Sequence, residues 1–240
     1  LLPGDGQIKA LICVGGNPLL AWPDQEKTLA ALSGLDLLVC IDIKLGATVE
    51  LADYVLAPKI CLEREDVTLL TDIWHDQAYS HYTPSVVEAE GDKIEEWEFY
   101  WGVGRRMGLA MSLENGPIDT DQKPTKFDLL NTITAGSRVP LEQIRQSNGG
   151  TVFPGLDVII EAADPATQGH LDLFPAGVDD ELAAAYRDMQ VTASNEYSHL
   201  LVSRRMKNTY NSTGPELSLL KSKGTTNPAF IHPQDLAAMG

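Results

Sequence analysis

The sequence predicts an α/β fold built on a parallel sheet, and three observations in its first sixty residues carry that expectation. "IKALICVGG" (8–16) is a near-continuous apolar run closed by two glycines, the pattern of a strand buried on both faces. "PDQEKTLAALSGL" (23–35) offers Asp24 as N-cap, Leu29, Leu32 and Leu35 at helical spacing, and Gly34 as a stop. "DLLVCIDI" (36–43) and "ADYVLAP" (52–58) are further strand-like runs, with a short helical stretch expected near 47–52. Strand, helix, strand, helix, strand implies parallel pairing through right-handed crossovers.

Beyond residue 60 the pattern weakens. Residues 60–90 are polar and broken by Pro84 and Gly91, as suits a long surface excursion with short strands. "KIEEWEFYWGVGRRMGLAM" (93–111) reads as a helix with Trp97, Tyr100, Trp101 and Met107 available for one buried side. Its three glycines cost up to about 1 kcal/mol each in helix propensity, so packing must hold it. Residues 112–124, with Gly116, Pro117 and Pro124, read as a linker or loop. "KFDLLNTITAGS" and "PLEQIRQS" read as helices, and "DDELAAAYRDMQ" (179–190) as a surface helix. "HLLVSRRM" (199–206) reads as a strand entering a basic turn, and "NPAFIHPQDLAAMG" as a strand followed by a helix. Three regions are expected: an α/β region over 1–90, a mainly helical continuation and linker over 91–195, and a third region over 196–240.

Composition narrows the function. The 240 residues carry 18 basic and 34 acidic side chains, a net charge of −16, which argues against nucleic acid or an anionic membrane as partner. No stretch approaches the roughly 20 apolar residues that span a bilayer, so membrane insertion by this segment is not expected. Three widely spaced cysteines make neither a disulfide framework nor a metal knuckle. A cytoplasmic setting is expected, with a periplasmic one left open. The charge is uneven: residues 197–226 hold Arg204, Arg205, Lys207, Lys221 and Lys223 against Glu216, a local +4, which leaves −20 for the remainder. That asymmetry points to an anion near this end of the chain. The first residue is Leu1 and the last run reads as the middle of an element, so the chain is expected to be a piece of a longer one.

Three constellations bear on chemistry. The "VGGNP" turn (14–18) brings Gly15 and Gly16, without Cβ atoms, to where a backbone can approach a phosphate or sugar, and Asn17 offers an amide to a ligand or to the turn. It lacks the fuller glycine fingerprint of ordinary NAD sites, and a ligand-free turn is the plainer alternative. Asp42 closes the second strand, where an acid in an open parallel sheet grips a ribose hydroxyl or a base edge, the alternative being a solvated loop carboxylate. In "SRRMKNTYNS" (203–212), Arg204 or Arg205 suits a pyrophosphate, and Ser203, Asn208 and Asn211 suit a polar heterocycle; a solvated basic face is the alternative. Cys13 and Cys40 read as core residues. No nucleophile–base arrangement or metal cluster emerges, and no catalytic residue is assigned.

Taken in order, "QIKALICVGGNPLLAWPDQEKTLAAL", "LDLLVCIDIKLGATVELADYVLAP", "WEFYWGVGRRMGLAM", "HLLVSRRMKNTYNS" and "NPAFIHPQDLAAMG" resemble the molybdopterin oxidoreductases, the family of dimethyl sulfoxide reductase, formate dehydrogenase and nitrate reductase. The resemblance implies a Rossmann-like dinucleotide-binding domain and, from residue 196, the start of a C-terminal β-barrel. It implies bis-molybdopterin guanine dinucleotide with molybdenum or tungsten as cofactor. Gly15, Gly16 and Asn17 would lie in the dinucleotide-binding domain, with Asp42 recognising guanine. Thr48 and Asp53 are kept from the family's motif after the second strand, whose opening Thr-Glu-Thr-Ala is changed here. Ser203, Arg204, Arg205, Asn208 and Asn211 would contact pterin and phosphates.

The cysteine motif of a 4Fe–4S cluster and the region supplying the metal ligand are not in the chain, so a cluster is expected only in an N-terminal region outside it. The resemblance implies partnership with the remainder of a catalytic chain and with an electron-transfer subunit. Two alternatives stand beside an oxidoreductase: a cofactor-free structural subunit, as in respiratory complex I, and a non-redox hydratase of the family.

Overall fold

The computed structural model describes residues 1, 4–69, 74–147, 149–156, 162, 164, 166, 172–189, 199–207, 209–214, 217–221 and 228–239. The chain divides into two compact units, Leu1–Ile160 and Glu161–Gly240.

The first unit opens with strand β1 (Ala10–Val14), a single helical turn α1 (Pro18–Ala21), helix α2 (Gln25–Ser33) and strand β2 (Leu37–Ile41). A 3-10 turn over Val49–Leu51 leads to β3 (Tyr54–Pro58). All three strands pair in parallel, Cys13 opposite Cys40 and Cys40 opposite Val55, as the strand–helix alternation predicted. α2 begins and ends where expected: Asp24, at φ +57°, accepts from Lys27 N at 3.1 Å, and Gly34 closes the helix. Its buried side is Thr28, Ala31 and Leu32, while Leu29 is exposed.

The expectation that β1 is buried on both faces needs correction. β1 is the edge strand, and its residues alternate: Leu11 and Cys13 pack on the core of Leu38, Cys40 and Val49, while Ile12 and Val14 face outward. An edge strand covered on one face obeys the period-two rule, which a run of apolar residues conceals. β2, flanked on both sides, is the buried one, from Leu38 to Ile41.

The excursion after β3 carries β4 (Asp66–Val67), β5 (Tyr79–Ser80) and β6 (Tyr82–Thr83), with β4 and β6 antiparallel. Lys93–Ile94, expected to open a helix, instead forms β7, a fourth parallel strand beside Ala57 and Pro58. Helix α3 (Glu96–Arg106) starts immediately afterwards, because Glu95 and Glu98 form a reciprocal capping box. Tyr100 and Met107, expected on its buried side, are exposed. The expected linker contains a hairpin, β8 (Met111–Leu113) with β9 (Gly116–Ile118). Gly104 of α3 makes this hairpin fit, since a Cβ there would collide with the Met111 side chain. Helix α4 (Lys126–Ile133) has its own capping box, Thr125 with Asp128. Helix α5 (Leu141–Arg145) follows, and β10 (Thr151–Val152) pairs antiparallel with β5. Val67, Tyr82, Leu130, Leu141 and Ile144 form a second core.

Ion pairs pin α3 to its surroundings. Glu63 engages Lys93, Arg64 meets Glu96 at 2.8 Å, and Lys123 meets Glu98. Glu95 is shared by Lys59 at 3.7 Å and Lys126 at 3.4 Å. Lys93 and the Ile60 amide hold the Glu63 carboxyl below the usual range.

In the second unit, helix α6 (Val178–Met189) lies on the surface with no buried residue, as expected. Short helix α7 (Ser218–Lys221) and helix α8 (Pro233–Met239) follow. The expected helix after residue 232 is therefore present. The strands expected at 199–206 and 228–232 do not form among the described residues, and Leu200, Leu201 and Val202 are exposed. A strand needs neighbouring backbone to satisfy its N–H and C=O groups. The described residues of this unit supply a single bridge, Tyr210 with Thr213. Among the described residues no helix is long and apolar enough to cross a membrane.

Candidate functional site

The carboxyl ends of β1 and β2 carry the candidate site. Gly15 adopts φ +59°, and a Cβ built there would meet nothing within 4 Å. Backbone conformation, rather than space, therefore calls for glycine, and the turn faces open surroundings. Its N–H donates to the Ile41 carbonyl at 2.9 Å, extending the β1–β2 ladder by one bond. Gly16 rests on Cys13, whose Sγ donates to the Gly16 carbonyl at 3.3 Å.

Asp42 follows Ile41 directly. It is half-buried, its N–H donates to Leu56 of β3 at 3.2 Å, and its Oδ1 accepts from the Lys44 amide at 3.1 Å. The carboxylate is thus set at the end of the sheet by backbone bonds on both sides of it.

Asn17 was open to two roles, ligand amide or support for the turn. Its Oδ1 accepts from the Thr48 hydroxyl at 2.8 Å and from the Thr48 N–H at 3.3 Å. Thr48 is fully buried, and its Oγ1 also accepts from the Leu19 N–H at 3.0 Å. A Cβ on Gly46 would stand 3.1 Å from Asn17 Nδ2, so the 46–48 loop closes tightly over this amide. Asn17 and Thr48, 31 residues apart, lock that loop to the start of α1.

Gly15, Gly16, Asn17, Asp42 and Thr48 therefore share one end of the sheet. Asp53 does not. It lies where β2 and β3 begin, with its Oδ2 accepting from Leu38 N at 2.7 Å and its N–H donating to Leu38 O at 2.9 Å. Ser203, Arg204, Arg205 and Asn211 belong to the second unit and are exposed, with Asn211 at φ +50°. The Arg204 guanidinium stacks on the Phe230 ring, 4.2 Å from its centroid. Asn208 lies outside the described residues.

The two thiols under the turn are structural. Burial pushes Cys40 up to about 11 and also raises Cys13, with the Asp42 charge adding to both. Both stay protonated at neutral pH and are poor nucleophiles. Among the described residues no group of three or more His, Cys, Asp or Glu side chains could hold a metal ion. Sequence reasoning missed the Asn17–Thr48 lock and the Glu95 cluster. The first spans too many residues for any local pattern, and the second joins a loop, a cap and a helix.

Residues 2–105, which contain this sheet end, match the family model described as molybdopterin oxidoreductase. Acetylene hydratase of Syntrophotalea acetylenica is 32% identical over 102 residues, 42% of this chain and 14% of the relative. The probable oxidoreductase YyaE of Bacillus subtilis is 31% identical over 119 residues, 48% of this chain and 17% of the relative. F420-dependent formate dehydrogenase 1 subunit alpha of Methanococcus maripaludis is 24% identical over 239 residues, 98% of this chain and 33% of the relative. The solved structure of acetylene hydratase from Pelobacter acetylenicus aligns with a TM-score of 0.47 at 27% identity, covering 60% of this chain and 18% of that one. The chain spans at most a third of the length of these curated relatives. The chain is thus similar to the molybdopterin oxidoreductase family, with the family-model match lying over residues 2–105.

Proposed function

We propose that the first unit grips the nucleotide end of a molybdopterin guanine dinucleotide, as part of a longer oxidoreductase that holds two such groups around molybdenum or tungsten. The observation that carries this is the open, left-handed Gly15 turn bonded to Ile41, with the Asp42 carboxylate next in sequence and set by Leu56 and Lys44. These donors and acceptors fit the organic, nucleotide end of the group. A carboxylate accepts the two adjacent N–H donors of guanine's Watson–Crick edge, and its two oxygens retain capacity beyond the single Lys44 bond. Gly15 and Gly16 admit a phosphate or ribose without a side chain intervening.

When bound, the metal supplies oxygen-atom or hydride transfer, while the protein supplies position and electrostatics. Asn17 and Thr48 act in this reading as supports of the turn, and Asp53 as a tie between strand starts. Ser203, Arg204, Arg205, Asn208 and Asn211 take the pyrophosphate and pterin from a C-terminal barrel that the rest of the protein completes. The relatives named as alpha subunits support a further, electron-transfer subunit as partner.

Calorimetric titration of the 240-residue chain with GDP and ADP tests the guanine grip. GDP is expected to bind at least tenfold tighter, and Asp42→Ala to erase that preference. Equal binding of both nucleotides, or a preference untouched by Asp42→Ala, overturns it. A second reading, addition of water at the same metal instead of redox chemistry, is favoured by the 32% identity to acetylene hydratase. Whether the assembled protein hydrates an alkyne without an electron acceptor separates the two.

A further inference from the structure

Away from the glycine turn, α3, the β8–β9 hairpin and α4 surround an apolar cavity of about 290 Å³. Trp97 and Trp101 wall it from α3, Met111 from the hairpin, and Leu129 and Ile133 from α4. Among its described lining residues, Lys126 alone is charged. The Lys126 ammonium meets Glu95, whose side chain is only 7% exposed and also receives Lys59 and the Trp97 Nε1–H, the latter at 2.9 Å. Two ammonium groups thus share one nearly buried carboxylate. The neighbouring pairs Glu63–Lys93, Arg64–Glu96 and Lys123–Glu98 match one to one, and the Lys59 charge reaches Glu63 and Glu98 as well as Glu95.

A largely buried ammonium that shares its carboxylate with a second cation gains from a further counter-ion. Trp97 and Lys126 belong to both features, the apolar wall and the cation cluster, so one ligand can reach both. The volume lies at the small end of ligand pockets. We propose that this cavity binds a small amphiphilic carboxylate, its hydrocarbon part among the indoles and its anion against Lys126.

Trp22 and Trp74, the other two of four tryptophans, are exposed. Replacing both by Phe in the 240-residue chain leaves Trp97 and Trp101 as reporters. Titration with octanoate should change their fluorescence saturably, at concentrations at least tenfold below those needed with 1-octanol. Lys126→Met, which keeps the stem and removes the charge, should bring octanoate down to the level of 1-octanol and leave 1-octanol unchanged. Ile133→Phe, checked for folding by far-UV circular dichroism, should weaken both tenfold or more. Octanoate binding no tighter than 1-octanol overturns the proposal, as does a preference that survives Lys126→Met. Self-association of the free chain through this face, undiminished by octanoate in sedimentation, also overturns it.

Discussion

Thr48→Val tests whether the Asn17–Thr48 lock holds the glycine turn. Valine keeps the shape of this fully buried side chain and deletes its hydroxyl. Two bonds vanish, the one given to Asn17 Oδ1 at 2.8 Å and the one received from Leu19 N–H at 3.0 Å. Asn17 Oδ1 keeps the Thr48 N–H, whereas the Leu19 N–H loses the partner described here. A donor stripped of its partner costs about 1–3 kcal/mol, against about 1 kcal/mol for an ordinary bond. The expected loss is therefore about 2 kcal/mol, roughly 30-fold in the opening equilibrium.

Native-state hydrogen exchange at the Leu19 amide reads that opening directly, without requiring the two units to unfold together. It should accelerate about 30-fold, while amides in α4 stay unchanged. Asn17→Ala and the double variant complete a cycle with a coupling of about 1 kcal/mol. An exchange rate changed less than about threefold would refute the reasoning, as would additivity of the two substitutions within about 0.5 kcal/mol.

Three further outcomes follow from the same geometry. Glu63 is held low by Lys93, Asp128 by Thr125, and Glu98 by Lys123 and the Glu95 amide, against the opposing effect of burial. A depressed carboxyl stabilises above its unfolded value and loses that contribution as pH falls, so chemical-denaturation midpoints should drop below about pH 4.5, and Glu63→Gln should flatten the slope. Tyr82 is pushed up to about 12 by burial and by donation to Glu65. Its neutral form is favoured in the fold, so its stabilisation is complete below about pH 10 and lost as pH rises through about 12. Spectrophotometric titration should show one phenol ionising last, and Tyr82→Phe should remove it. Gly15→Ala, at φ +59°, should cost about 1–2 kcal/mol in urea unfolding and weaken GDP binding. Gly16→Ala should cost less, because its Cβ would meet Cys13 Sγ at an ordinary 3.4 Å.

The parallel sheet was legible because its strands are short apolar runs separated by a helix with a recognisable cap and stop. Periodicity over ten or more residues survives ignorance of the partner elements. β7 was not legible: Lys93–Ile94 is two residues long and is recruited by β3, whose own pattern says nothing about a neighbour 36 positions on. The one-sided burial of β1 was hidden for the same reason, since its edge position depends on what lies beside it. At the site, glycines and an acid at strand ends were readable from residue type alone. The roles of Asn17, Thr48 and Asp53 were not, because each depends on hydrogen bonds across 15 to 31 residues. In the second unit, the apolar run around Leu201 has strand composition, but composition cannot provide the pairing backbone that a strand requires.

The candidate site is fixed by the sheet more than by its loops. The bond from Gly15 N–H to Ile41 O places the turn relative to β2, and the next residue, Asp42, bonds Leu56 of β3. The last residue of β2 and the one after it thus relate the turn, the carboxylate and the third strand. Loop residues enter only afterwards, through Lys44 N and Thr48, and they trim positions already set. Groups held on paired strands need little reordering when a ligand arrives, so less binding energy goes into organising them. It follows that Asp42→Ala should weaken guanine recognition with little change in stability. Breaking the Gly15–Ile41 bond by displacing the turn should disturb recognition and local stability together.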